Sequence, residues 1–244
     1  MTPPSSSTPN DAQAPPDSDA ELYAAEVGGA NGELASAPMG LRERNKADKW
    51  RRILQAASTL FATRGFEATT TAAIAEEAGI GTGTLYLYVT SKEDLLVAVF
   101  RDEVDQLWDD AFAQIDPKAP VLAQLMSAFG HATAYHEKEP ELARIYFKEL
   151  MFVSPAMRAG VTDFMRRHLA KLGGLLDRAK ANGLLDPEVP SAVLAHNLWA
   201  QYFLLMQRRH SGTVDPATML HLLERGYEVA LWGMTSSARP AAAD

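Results

Sequence analysis

Apolar side chains recur along this chain at helical spacing. Trp50, Ile53, Leu54, Ala57, Leu60 and Phe61 fall on one stripe, and Lys46, Lys49, Arg51 and Arg52 occupy the opposite side. This pattern predicts a helix that begins near Asn45 and stops at Gly65. Further helices are expected near 92–115, 119–137, 140–152, 155–182, 189–210 and 215–235. Pro117, Pro140, Pro155, Pro187 and Pro216 lie at or beside their boundaries, where proline is tolerated. Gly183 and Gly212 are natural helix stops. No stretch alternates in the manner of a half-buried strand, and the apolar and aromatic run Leu85–Val89 sits in a helical setting. There is no internal repeat. The fold class expected is all-α.

Between Phe66 and Lys92 the pattern shortens to two helices joined by a tight turn. Thr69 or Thr70 can accept from the free N–H groups of a helix start. Ile74, Ala75 and Ala78 make a small apolar face. Gly79 can take the positive φ that ends the helix, and Ile80 anchors the turn. A second helix then begins at Gly81 or Thr82. At about 100° per residue, Leu85 and Val89 face inward and Gly83 and Leu87 point the opposite way. Thr84 and Tyr88 flank that outer face, with Tyr86 near its other edge.

This outer surface suits double-stranded DNA. Gly83 lets the backbone come close, Thr84 can bond to a base edge or a phosphate, and Leu87 can touch a thymine methyl. Tyr86, Tyr88, Thr70 and Lys92 offer donors to phosphate oxygens. No Arg, Asn or Gln lies on this helix for bidentate base reading, so phosphate positioning should outweigh base contact.

Composition adjusts this picture in one respect. The 244 residues are 47% apolar and carry a net charge of −8, which looks unfavourable for a DNA reader. Residues 1–40 hold six acidic side chains and no Lys or Arg, whereas residues 41–100 are net +1. Binding answers to local charge, so the acidity of the arm is no objection. That arm, rich in Pro, Ser, Ala and Gly, is expected to be disordered. There is no cysteine, and neither a secretory signal nor an apolar run of membrane-spanning length. A cytoplasmic protein is expected. No zinc-binding spacing, nucleophile turn or phosphate-binding glycine loop is present, so no catalytic residue, metal or cofactor is assigned.

The order of residues resembles the DNA-binding domain of the TetR family of regulators over about residues 47–107. The resemblance rests on Phe66, Thr69-Thr70, Ile74-Ala75, Ala78-Gly79-Ile80, Gly83-Thr84-Leu85-Tyr86, Tyr88-Val89 and Lys92-Glu93. It implies a three-helix DNA-binding domain followed by a larger helical dimerisation and ligand-binding domain. It also implies DNA contacts at Thr70, Thr71, Thr82, Gly83, Thr84, Tyr86, Leu87, Tyr88 and Lys92. The expected division is a disordered arm at 1–44, the DNA-binding domain at 45–107, the regulatory domain at 108–236 and a disordered tail at 237–244.

On this reading the protein is a ligand-responsive repressor that binds a roughly palindromic operator as a homodimer. An activator of the same fold, or a helical interaction protein that no longer binds DNA, are the alternatives. The helices near 189–210 and 215–235 are the expected dimer contacts, through Val193, Leu194, Leu198, Trp199, Tyr202, Leu205 and Met206 on one and Leu220, Leu223, Tyr227, Ala230 and Leu231 on the other. The candidate pocket for a small-molecule effector comprises His131, Tyr135, Phe147, Met151, Phe164, His168 and Tyr202.

Overall fold

The computed structural model describes residues 40–155, 157–232 and 234; the acidic arm before residue 40 and the expected tail at 237–244 lie outside the described residues. Among the described residues there are nine α-helices and no strand. They are α1 (Leu41–Arg64), α2 (Thr71–Glu77), α3 (Thr82–Leu85), α4 (Lys92–Ala113), α5 (Val121–His136), α6 (Pro140–Leu150), α7 (Arg158–Ala181), α8 (Ser191–His210) and α9 (Pro216–Ala230).

Helix α1 starts four residues before the expected Asn45. Its added turn is exposed, and the Glu43 carboxylate accepts from the Gly40 N–H at 3.3 Å. A first turn held by a carboxylate at the positive end of the helix dipole leaves no trace in apolar periodicity. Further along, Ile53, Leu54, Ala57, Leu60 and Phe61 are buried, as their stripe requires.

The turn between α2 and α3 follows from Gly79. With φ at 65°, its N–H bonds to the Glu76 carbonyl at 3.0 Å, and the Ile80 N–H bonds to the Ala75 carbonyl at 2.9 Å. This pair closes the helix end and needs a left-handed residue between the two donors. Gly183 and Gly212 end α7 and α8 in the same way. Thr70 caps α2 by accepting from the Ala73 N–H at 3.1 Å, while Thr69 is buried and donates to the Leu60 and Gly65 carbonyls. The second helix starts at Thr82 after Gly81. Beyond Leu85 it tightens, with Leu87 bonded back to Thr84 and Tyr88 to Leu85.

Helix α4 organises the rest. Asp94 to Phe100 are all buried, so this segment is covered around its whole circumference. It packs against α1 on one side and against α5, α6 and α7 on the other. The boundary expected at 107/108 falls inside this uninterrupted helix, and one apolar core runs from Ile53 to Leu231. Helices α8 and α9 pack on each other. Most of the faces expected at the dimer contact are spent inside the protomer: Leu194, Leu198, Trp199, Tyr202, Leu205, Met206, Leu223, Tyr227 and Leu231 are all buried. The periodic stripe correctly marked an apolar face, but the protomer's own core claimed it first. The exposed large apolar side chains here are Leu204, Leu222, Val229 and Trp232.

Candidate nucleic-acid interface and regulatory interior

Helices α2 and α3 present the expected surface. Leu85 and Val89 are buried and hold α3 in place, with Ile74 and Ala75 below them. Thr70, Thr82, Gly83, Tyr86 and Leu87 are exposed, Leu87 at 83%. The hydroxyls of Thr71 and Tyr86 are 3.0 Å apart, which ties the start of α2 to the outer edge of α3. Tyr88 is only half-exposed. Its ring stacks on Trp50 of α1, with centroids 5.7 Å apart and planes 5° from parallel.

Lys92 differs most from the simple expectation of a free cation. Its ammonium donates to the Phe66 carbonyl at 2.7 Å and lies 4.2 Å from the centre of the Phe66 ring. It braces the first turn of α4 against the segment that leads into α2. Two residues on, buried Asp94 accepts from the Thr90 N–H at 2.9 Å and from the Ser154 hydroxyl at 2.8 Å. Ser154 belongs to the segment between α6 and α7. The residues just after α3 are therefore bonded directly to the segment between α6 and α7.

Two clefts flank α4. One, of about 210 Å³, is lined by Phe61, Leu96, Val99, Phe100 and Leu142, with Ser58, Glu103, Tyr135 and Lys138 as polar neighbours. Glu103 accepts from Ser58 of α1 at 3.1 Å and from Tyr135 of α5, linking the two halves across this cleft. Burial and the Glu103 carboxylate both push the Tyr135 hydroxyl pKa up. The other cleft, of about 400 Å³, lies between Lys46, Trp50 and Tyr88 on one side and Arg101, Met157 and Gly160 on the other.

The effector candidates divide sharply. His131 and Met151 lie on the exterior. Tyr135 lines the smaller cleft, and Phe147 packs on His136, which lines it too. Phe164, His168 and Tyr202 are buried together around Trp108. Trp108, Phe129 and Trp199, the last expected at the dimer contact, belong to this aromatic interior, whereas His136 packs with Phe100, Tyr146 and Phe147. Their spacing on core stripes was the available signal. Burial lowers the His136 pKa to about 3, with nearby His210 adding to the effect. Burial also lowers that of His168 to about 4, against the opposing pull of the Phe164 carbonyl and Asp105.

Residues 53–99 match the family model described as bacterial regulatory proteins, tetR family. The repressor KstR2 of Mycolicibacterium smegmatis is 39% identical over 138 residues, covering 56% of this chain and 67% of that protein. The chain belongs to the TetR family. Another relative in regulation, the repressor KstR of Rhodococcus jostii, is 27% identical over 197 residues, covering 78% of this chain and 88% of its own. The crystal structure of Thermus thermophilus FadR, a TetR family repressor in complex with lauroyl-CoA, superposes with a TM-score of 0.63. It is 25% identical and covers 80% of this chain and 98% of that one.

This TetR family member is a DNA-binding transcriptional regulator, a ligand-responsive repressor that acts on double-stranded DNA as a dimer. No described helix is long and apolar enough to cross a membrane. No cluster of three or more metal-ligating side chains occurs among the described residues.

Proposed function

We propose that the effector is a long-chain acyl thioester of coenzyme A, and that its binding releases the dimer from DNA. The observation that carries this reading is the likeness, along nearly the whole of its length, to a repressor solved with lauroyl-CoA. The apolar walls of the smaller cleft suit an acyl chain. An acyl chain there would part Ser58 and Tyr135 from Glu103 and shift α1 against α4. The two recognition helices of a dimer must match two half-sites one turn of DNA apart, so a small shift of α1 lowers affinity.

In this reading residues 45–107 read DNA and form one side of the effector cleft, while 108–236 form its other side and the dimer contact. Thr70, Thr71, Thr82, Gly83, Thr84, Tyr86, Leu87 and Tyr88 face the duplex, and Lys92 offers its remaining donor to a phosphate. The protein works in the cytoplasm and does not turn its effector over. The test is the affinity for a duplex selected from genomic fragments, with and without lauroyl-CoA. Saturating lauroyl-CoA should weaken it about tenfold or more, a usual coupling for such a switch. Unchanged affinity at saturation overturns the proposal.

A further inference from the structure

The larger cleft, of about 400 Å³, shares no lining residue with the smaller one. Its walls combine apolar surface with positive charge. The stacked Trp50 and Tyr88 rings and Met157 supply the first, and Lys46 and Arg101 supply the second. The Arg101 side chain is 15% exposed and makes a long ion pair, 3.6 Å, with Asp102. Gly160 leaves room for it, because a Cβ there would collide with the guanidinium. Glu43 also lines the cleft, but its carboxylate accepts from the Gly40 N–H at the start of α1. The occupant that fits is therefore apolar in part and negatively charged.

The chain itself contains such a segment. Asp17–Val27 carries Asp17, Asp19, Glu21 and Glu26 together with Leu22, Tyr23 and Val27, and residues 1–40 hold no Lys or Arg. The arm joins the fold at Gly40, directly before α1, and Glu43, Lys46 and Ala47 in the first turns of α1 form the near wall of the cleft. Residues 28–40 can span up to about 45 Å, ample to bring the segment to that wall. A tethered segment acts at an effective concentration on the order of millimolar, so a few exposed ion pairs suffice to seat it. Leu87 and Tyr88 line the same cleft and are both assigned to the duplex. A segment seated here and DNA exclude each other.

We propose that the larger cleft is the docking site of the acidic segment Asp17–Val27 of the chain's own N-terminal arm, which competes there with DNA. Lys46 and Arg101 pair with its carboxylates, and Trp50 and Met157 receive its apolar side chains. An operator makes enough contacts to displace the segment, whereas a duplex held by phosphate contacts alone pays more of its affinity to do so. The arm thus sharpens discrimination against non-specific DNA. This inference uses the DNA-reading face and is independent of the effector's identity.

The chain has no cysteine, so two introduced thiols report one contact. Ala24→Cys with Ala47→Cys places one thiol in the segment and one in the cleft wall. The control joins Ala24→Cys with Ala217→Cys, exposed on α9, which packs on α8 and α5. Mild oxidation of the full chain should give an intramolecular disulfide in the first pair and little in the control, and a random-sequence duplex should suppress it. Separately, the full chain carrying Asp17→Asn, Asp19→Asn, Glu21→Gln and Glu26→Gln should bind that duplex about fivefold more tightly at about 50 mM salt, a gain that shrinks at about 200 mM. Equal disulfide yields in the two pairs overturn the docking site. A disulfide that DNA does not suppress, or unchanged affinity at low salt, overturns the competition. Each of these results leaves the DNA-reading assignment standing; failure of the unaltered chain to bind any duplex overturns that assignment as well.

Discussion

The Lys92 ammonium donates to the Phe66 carbonyl at 2.7 Å while lying over the Phe66 ring. Lys92 is the first residue of α4, where the helix dipole repels a cation, and the carbonyl and ring offset that repulsion. Its first role is thus to brace the recognition unit. Lys92→Ala should lower unfolding stability by about 1–2 kcal/mol, the worth of a charged hydrogen bond and a cation–π contact. Chemical denaturation measures this. Unchanged stability with weakened DNA binding would make Lys92 a phosphate contact alone.

Tyr86 and Leu87 are exposed large side chains of the recognition helix, and they are expected to act differently. Leu87→Ala removes apolar contact in the groove and should weaken binding most at sites with a thymine opposite. Tyr86→Phe keeps the ring but loses the hydroxyl paired with Thr71, so it should weaken binding to all duplexes alike. Each effect should be about 1 kcal/mol, read from affinities on a panel of single-base operator variants. Identical panel profiles for the two variants would contradict the assignment.

Ser154 bonds to Asp94 directly after the recognition helix. Ser154→Ala leaves Asp94 its Thr90 partners, so the fold should survive at a cost of about 1 kcal/mol. What should fall is the ratio of DNA affinities without and with effector. An unaltered ratio would show that this bond does not transmit the signal.

Burial holds His136 and His168 neutral in the folded protein, at about 3 and about 4, against 6.5 when exposed. Below pH 6.5 the unfolded chain therefore takes up protons that the folded protein refuses. Stability should fall as pH drops from 6.5 towards 4, by about 1.4 kcal/mol per pH unit for each histidine. His210 nearby is lowered in the same direction, chiefly by burial, and adds to the trend. Denaturation curves at pH 7.5, 6 and 5 measure it, and equal midpoints would contradict it.

Local signals in the sequence carried much of the fold. The α1 stripe, the Gly79 turn and the proline and glycine boundaries each depend on residues within one or two turns of one another. The same logic separates two of the candidate histidines. His168 follows Phe164 by four residues on the buried stripe of α7, whereas His131 lies off the stripe of Leu125, Ala128, Phe129 and Ala132. Periodicity was silent on which face meets which. The Trp50–Tyr88 stack joins residues far apart in the chain, as does the Glu103 link between Ser58 and Tyr135. Neither leaves a local mark. The faces of α8 and α9 were legible as apolar, yet only packing decides between core and partner.

The most direct test of the account is a salt titration of binding to a duplex selected from genomic fragments. The cations beside the outer face of α3, namely Lys46, Lys49 and Arg52 of α1 and Lys92, should neutralise phosphates in each half-site, while the hydroxyls of α3 add neutral contacts. Affinity should therefore fall steeply and linearly on logarithmic axes as salt rises, with a slope of about −0.9 for each phosphate contacted. Removing the Tyr86 side chain should weaken binding while helical content stays intact. Affinity that ignores salt, or survives Tyr86→Ala unchanged, would contradict the assignment of this face to DNA.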